Sequence, residues 1–323
     1  MGQTTWKLTT AEKLVHLLAR LGIRRNDWRV RPGLYRLGNP APDSPVFVSA
    51  NYILSFDALR EALDGIDGYI LVLDTKGINV WCAAGKGSFG TDELVERIEK
   101  TSLADEVETR RIMVPQLGAT GVCARDVRKR SGFKVDFGPV RAEDIPEFIR
   151  NGKATEAMRT VRYDIRDRAV LIPVEGKQGI PLAGGLMLAA YLGDGSIAAL
   201  GIGSAAAAGL VAFPLLMPWV PGKDFSTKGF VLGGAVAVAT AAATVLADDG
   251  TSLGWRLGKA ASYLLAFPAL TSFIALNWTG ASTFTSPTGV RKEINRYVPV
   301  MAVMGASGII TNVAQRLLRS RKG

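Results

Sequence analysis

Short apolar runs broken by polar stretches fill the first half of the chain, whereas long apolar blocks fill the second. "VFVSAN" (46–51), "GYILVLDT" (68–75), "RRIMVP" (110–115) and "KVDFG" (134–138) are rich in β-branched and large apolar residues and predict strands. The runs 56–64, 91–100, 119–130 and 143–150 predict helices between and after them. Such alternation predicts an α/β head, a parallel sheet covered by helices, with ligands collecting at the carboxyl ends of the strands. Ahead of it, Thr9 and Glu12 have capping-box spacing before Leu14, Leu17, Leu18 and Leu21. That predicts a short amphipathic helix with His16 on its exposed side, opposite Leu14 and Leu18. "RPGLYRLGNPAPDSP" (31–45) is dense in turn formers and reads as a loop.

The second half holds four clear apolar segments, 196–220, 229–247, 260–280 and 297–315. Each approaches the roughly 20 residues that cross the hydrocarbon core. A fifth, 178–193, is short and spans only with help from its flanks. The chain therefore divides into a head, 1–168, and an all-α transmembrane domain, 169–323. "GFVLG" (229–233) and "GWRLG" (254–258) have the GxxxG spacing of close helix packing; the first suits a helix interface, and Arg256 puts the second at a membrane edge. With five spans and the head inside, Lys223, Lys228, Arg291, Lys292 and Arg296 fall in cytoplasmic loops, as the positive-inside rule favours. Arg316, Arg319, Arg321 and Lys322 then fall outside, and four spans reverse the conflict. Asp194, Asp248 and Asp249 lie at segment ends, so no acidic residue sits mid-span to bind a cation.

Charge sharpens this division. Residues 1–168 carry 27 Lys/Arg and 23 Asp/Glu, against 12 and 6 in the remainder. The net charge of +10 sits largely in loops and tail of the apolar half, and no basic stretch is interleaved with aromatics, so nucleic acid is not a predicted partner. The N-terminus lacks the long apolar core of a secretory signal, which predicts a cytoplasmic head on an inner-membrane anchor in contact with lipid. Two cysteines, one histidine and no CxxC argue against a disulfide framework, an iron–sulfur cluster or a zinc site built by this chain alone.

One of those cysteines, Cys82, stands in "GINVWCAAGKGSFG" (77–90), directly after the most apolar predicted strand. A lone cysteine by itself reads as a small buried residue. Its neighbours argue otherwise: Ala83, Ala84, Gly85, Gly87 and Gly90 leave the backbone uncovered, as where something large and flat must come close. Lys86 adds a positive charge for a thiolate or an anionic group, and Thr91 opens a regular helix. Cys123, in "TGVCARDV", has no motif partner and reads as a small helix-face residue.

"NVWCAAGK" (79–86) resembles the cap-helix signature of the corrinoid-dependent mercury-methylating membrane proteins. "VPQLGATGV" (114–122), "SGFKVDFGPVRAED" (131–144) and the loops "PWVPGKDFSTKG" and "TGASTFTSPTGV" are similar to the same family. The head is also similar to the corrinoid domain of the acetyl-CoA-pathway corrinoid iron–sulfur protein. The resemblance implies a Rossmann-like corrinoid-binding head on a five-span membrane domain. It implies Cys82 as the lower axial ligand of cobalt in a cobalamin-type corrinoid. Asn79, Val80, Trp81, Ala83, Ala84, Gly85 and Lys86 would then form the short helix pressing on the ring, where bulk at Ala83 or Ala84 would hold it away. The other cobalamin-binding motif, DxHxxG, is absent. The implied reaction is methyl transfer from cobalt to Hg(II). The implied partners are a ferredoxin-like electron donor with two [4Fe–4S] clusters and a methyl-donor protein or methylfolate-type donor. Two rival readings remain: a corrinoid methyl carrier of one-carbon metabolism, and a thiol-based metal-binding membrane protein without corrinoid.

Overall fold

Six strands build the sheet of the first of two units, Met1–Arg162 and Tyr163–Gly323. The computed structural model describes residues 1–247 and 250–320; Asp248, Asp249, Arg321, Lys322 and the side chain of Arg319 lie outside the described residues. The strands are β1 (Gly2–Thr4), β2 (Gly33–Leu37), β3 (Val46–Ala50), β4 (Gly68–Leu73), β5 (Arg111–Val114) and β6 (Lys134–Phe137). Their order is β1-β2-β4-β3-β5-β6.

The four strands read from the sequence, β4, β3, β5 and β6, run parallel to one another. The sheet as a whole is mixed, because β2 runs antiparallel to β4, with Gly33 opposite Val72 and Leu37 opposite Gly68. The stretch 31–45 is thus not all loop. Five residues between Pro32 and Gly38 carry too little pattern to announce a strand; the free edge of β4 makes one of them.

The helices of this unit are α1 (Thr10–Arg20), α2 (Ile53–Ala62), α3 (Val80–Gly85), α4 (Thr91–Lys100), α5 (Leu103–Glu106), α6 (Ala124–Ser131), α7 (Ile145–Asn151) and α8 (Glu156–Arg159). Side chains of β3 and β4 alternate between two cores, as the period of two requires. Val46, Val48, Ala50, Tyr69, Leu71 and Leu73 pack with residues of α3, α4 and α6. Phe47, Ile70 and Val72 pack on the other face with Phe56 and Leu59 of α2 and with Leu63.

The capping box of α1 forms as expected between Thr9 and Glu12. Its sidedness corrects the sequence reading. Leu14 and Leu17 are more than half exposed, whereas His16 turns inward, its Nε2 2.6 Å from Oδ2 of the fully buried Asp57. The cause lies on α2. Arg60 donates from Nε to Asp57 Oδ1 (2.6 Å), from Nη2 to Glu12 Oε1 (2.5 Å) and from Nη1 to the carbonyl of Thr5 (2.8 Å). A buried ion pair holds only when its remaining donors and acceptors are satisfied, and the polar side of α1 satisfies them.

The second unit contains α9 (Ile165–Ala169), α10 (Ile172–Asp194), α11 (Ser196–Ala207), α12 (Phe213–Leu216), α13 (Phe225–Leu246), α14 (Leu253–Asn277) and α15 (Pro287–Ser320). Successive long helices run antiparallel: Gly179 and Gly203 face Leu210 and Met187, Gly229 and Gly233 face Ser272 and Pro268, and Gly308 and Gly258 face Ala266 and Gln315. Among the described residues, four stretches are long and apolar enough to cross a membrane: Ser196–Leu216, Phe225–Leu246, Leu253–Ala281 and Pro287–Leu318. The expected fifth segment, 178–193, is the body of α10, which carries Glu175 and Lys177 near its start, packs beside α11 and is not among those four.

At Gly229 a Cβ would lie 2.5 Å from the Cα of Ser272, so the first GxxxG does seat one helix against another. Arg256 of the second donates to the carbonyls of Val245 (2.9 Å) and Ala247 (2.7 Å), closing the end of α13. A π-helical turn, Ala208–Ala212, joins α11 to α12, and Trp278 Nε1 donates to the Gly209 carbonyl (3.1 Å) there. Arg316 pairs with Asp194, which also receives Lys259 Nζ (2.9 Å) and Asn312 Nδ2 (3.1 Å). One of the tail charges that conflict with a five-span orientation is therefore paired at the end of α10, where it shares Asp194 with Lys259.

Candidate functional site

Beyond the carboxyl end of β4 the chain makes a tight turn organised by a buried asparagine. Asn51 Oδ1 accepts from the amides of Thr75 (3.1 Å) and Gly77 (2.9 Å), and Nδ2 donates to Asp74 Oδ1 (3.1 Å). The Thr75 hydroxyl lies 2.8 Å from the same Oδ1 and 2.7 Å from the Ile78 carbonyl. Lys76 and Gly77 are left-handed (φ 57° and 74°), and a Cβ on Gly77 would fall 2.3 Å from the Asn26 carbonyl oxygen. Only glycine fits there.

The turn delivers Asn79 as the N-cap of α3, where its Oδ1 accepts from the Cys82 amide (2.9 Å). Helical periodicity then divides the motif. Val80, Ala83 and Ala84 face the core; Trp81, Cys82, Gly85 and Lys86 are exposed. The expected short helix over 79–86 is present, but Ala83 and Ala84 do not lie on the same face as the thiol. Their smallness serves to hold the helix against the sheet, and the exposed face is left to Trp81, Cys82, Gly85 and Lys86.

A second stretch singled out in the sequence supports this helix. A Cβ at Gly118 would fall 2.5 Å from the ring of Phe89, and one at Gly121 would fall 2.2 Å from the Phe89 carbonyl oxygen. Phe89 is fully buried and donates its amide to the Ala83 carbonyl (3.1 Å). "VPQLGATGV" is therefore a shelf of small residues under α3. Thr91 ties the shelf to α4, donating its amide to the Gly121 carbonyl (3.1 Å) and accepting from the Cys123 amide at Oγ1 (2.8 Å). Cys123 is the exposed N-cap of α6, not a residue of a helix face. The expected helix 119–130 begins only at Ala124, because the preceding residues form the shelf.

Beside α3 lies a cavity of about 350 Å³, lined by Asn79, Val80 and Trp81, by Phe47 and Ser49 of β3, by Met113 and Pro115 at β5, and by Gly138 and Pro139 after β6. Among the described residues, no charged side chain lines it. Topology explains its place. The β3–β4 connection packs α2 on one face, and the β4–β5 connection packs α4 on the other, so the winding reverses between β3 and β5. The β3–β5 ladder has only two pairs, Val46–Ile112 and Phe47–Met113, and beyond them the strands part. Ligand crevices of α/β sheets open at such a switch point, outside the carboxyl ends of the strands. The third singled-out stretch, "SGFKVDFGPVRAED", supplies Gly138, Pro139, Val140 and Ala142 to this wall.

The sequence reading missed Asn51, Thr75 and the cavity's far wall on α2. Asn51 left a signal, a polar residue at the carboxyl end of an apolar strand. The far wall left none, since Leu54, Ala58 and Leu59 read as ordinary helix core.

The family described as "CO dehydrogenase/acetyl-CoA synthase delta subunit" matches residues 19–149, all within the first unit. The chain is 35% identical over 127 residues to the acetyl-CoA decarbonylase/synthase complex subunit gamma of Methanopyrus kandleri, covering 39% of this chain and 27% of that protein. The head is related to the corrinoid protein of the acetyl-CoA pathway. To the corrinoid/iron-sulfur protein large subunit of Moorella thermoacetica the identity is 30% over 149 residues, 43% of this chain and 33% of that one. The gamma subunit of Archaeoglobus fulgidus is 34% identical over 118 residues, 36% of this chain and 25% of that one. The chain thus spans about a quarter to a third of the length of the curated relatives it matches.

Proposed function

We propose that the chain is a membrane-anchored corrinoid methyltransferase whose acceptor is inorganic Hg(II). The observation that carries the corrinoid reading is the exposed Cys82 on a two-turn helix whose neighbours, Asn79, Val80 and Trp81, wall an uncharged cavity at the sheet's switch point. The residues present fit the group. A soft sulfur donor faces outward, a cavity near the lower end of the roughly 300–1,000 Å³ of small-molecule sites has room for one arm of a macrocycle, and the relatives include a corrinoid/iron-sulfur protein. When bound, the corrinoid would supply a cobalt able to carry a methyl group, and the Cys82 thiolate would be the soft donor available to hold it.

The chain's own residues position the donor. Asn79 fixes the first turn of α3, Ala83 and Ala84 seat it on the core, and the Gly118–Gly121 shelf keeps it from retreating. Trp81, Gly85 and Lys86 share the exposed side with Cys82 and are the residues available for direct contact. Two cysteines cannot hold an iron–sulfur cluster, so reducing equivalents come from a separate protein, a ferredoxin-like donor with two [4Fe–4S] clusters, and the methyl from a donor protein or methylfolate.

The acetyl-CoA relatives favour a second reading, a corrinoid methyl carrier of one-carbon metabolism with another acceptor. Two measurements separate the readings. The purified full chain is expected to show the visible spectrum of a bound corrinoid. Cells carrying it with its electron donor are expected to form methylmercury from Hg(II). A corrinoid spectrum without methylmercury selects the carrier, and a colourless protein with intact fold removes both.

A further inference from the structure

At one end of the second unit, the loop before α13 and the start of α15 enclose a cavity of about 410 Å³. Three cations line it: Lys223, Lys292 and Arg296. None of the three has an ion-pair partner among the described residues; Arg296 only lies over the ring of Tyr297, 5.3 Å from its centroid. The two carboxylates in the lining are already engaged. Buried Glu293 accepts from the Phe225 amide (3.1 Å), the Ser226 amide (3.1 Å) and the Ser226 hydroxyl (2.9 Å), holding the first turn of α13. Asp224 Oδ2 accepts from the Tyr297 hydroxyl (2.7 Å). Thr285 and Ser286 add hydroxyls to the lining, and Phe284, 59% exposed, adds an aromatic face.

Unpaired cations converging on one cavity repel each other, and each gains by sharing an anion. We propose that this cavity binds a phosphate-bearing anion, with Lys223, Lys292 and Arg296 as its ligands. Glu293 and Asp224 keep their negative charge but turn their oxygens to backbone donors of α13 and to Tyr297, and three cations against two carboxylates leave the lining net positive. The cavity sits where two candidate spans begin, Phe225–Leu246 and Pro287–Leu318, which is the level of lipid headgroups when those helices cross a bilayer. An anionic phospholipid and free inorganic phosphate share the required chemistry. The site is independent of the corrinoid reading.

The test uses the full chain in detergent, titrated separately with phosphatidylglycerol, phosphatidylcholine and inorganic phosphate, with bound ligand counted by native mass spectrometry. Phosphatidylglycerol is expected to bind in preference to phosphatidylcholine and to be displaced by phosphate. Each neutralised cation is expected to weaken binding about fivefold, so that the triple variant Lys223→Gln, Lys292→Gln, Arg296→Gln loses on the order of 100-fold. Arg291→Gln removes an exposed charge from the same helix but outside the cavity, and is expected to bind within twofold of the parent. Should phosphate bind with this same variant pattern while phosphatidylglycerol does not, the site stands with free phosphate as its ligand. Equal binding of the two lipids without phosphate binding, or equal losses in the triple variant and Arg291→Gln, overturns it. Circular dichroism checks folding. If the triple variant fails that check, the exposed single variant Lys292→Gln carries the test with its fivefold loss.

Discussion

Within the "NVWCAAGK" motif, neighbouring residues have opposite tasks, and substitutions should separate them. Cys82 is exposed, and its loss removes only a small side chain. Cys82→Ala is therefore expected to leave the thermal transition of the head within about 0.5 kcal/mol of the parent. It should change the cobalt spectrum and abolish methyl transfer to Hg(II). An unchanged spectrum with full activity would remove the thiol from the site. Ala83, fully buried against the core, should behave in the reverse manner. Ala83→Leu overpacks that contact at a cost of about 1–3 kcal/mol, so the melting temperature of the head should fall together with corrinoid retention. Normal stability in that variant would contradict the core-facing placement.

Among the elements, the shelf beneath α3 supports the site through close backbone contacts. Gly121→Ala puts a methyl group into the Phe89 carbonyl, a backbone atom that yields only if the 84–89 segment moves. Corrinoid retention is expected to drop, measured as cobalt per protein after gel filtration, and retention equal to the parent would show that the shelf does not position the helix. On the other face, α1 is fastened to α2 by the Asp57–Arg60 pair and its partners Glu12 and His16. Asp57→Ala leaves Arg60 buried without its main partner and should destabilise the head by about 3–5 kcal/mol in chemical unfolding.

The same network has a pH signature. Burial raises the pKa of Glu12, but hydrogen bonds from the Thr9 amide and hydroxyl and the charge of Arg60 outweigh it and hold the carboxyl below its ordinary 4.5. A depressed folded pKa means stabilisation that is present above the unfolded value and lost as pH falls through the folded one. The melting temperature of the head should therefore decline below about pH 4.5, and Glu12→Gln should flatten that decline. An identical slope in the variant would show that the network does not include Glu12 in solution.

For the molecule as a whole, the question is whether the second unit takes part in chemistry or only holds the head at a surface. Its long helices contact one another through small residues and inter-helix hydrogen bonds, such as Thr271 Oγ1 to the Ala205 carbonyl (2.8 Å) and Ser272 Oγ to the Ser226 carbonyl (2.8 Å). It contains neither cysteine of the chain. An anchoring role follows as the expectation. Residues 1–162, which have two hydrophobic cores of their own, should fold, take up corrinoid and methylate Hg(II) in vitro when given a methyl source and an electron donor. A corrinoid-loaded head that stays inactive until residues 163–323 are restored would assign the second unit a part in the reaction.

Sequence by itself determined whatever depends on local periodicity and composition. The four parallel strands, the helix 91–100, the capping box at Thr9 and the long apolar segments all follow from side-chain spacing, which neighbours along the chain enforce without outside help. The motif at 79–86 and its two companion stretches were equally legible as residues. What those residues face was decided only by tertiary structure. β2 exists because β4 has an edge to pair, and His16 turns inward because the second oxygen of the buried Asp57 carboxylate on another helix needs a partner. Ala83 and Ala84 point to the core because the turn held by Asn51 sets the angle at which α3 leaves the sheet. The cavity arises where two parallel strands part after two paired residues, a consequence of winding order that no local stretch encodes. Spacing along a chain dictates which residues can share a face; which face meets the core depends on contacts between residues distant in sequence.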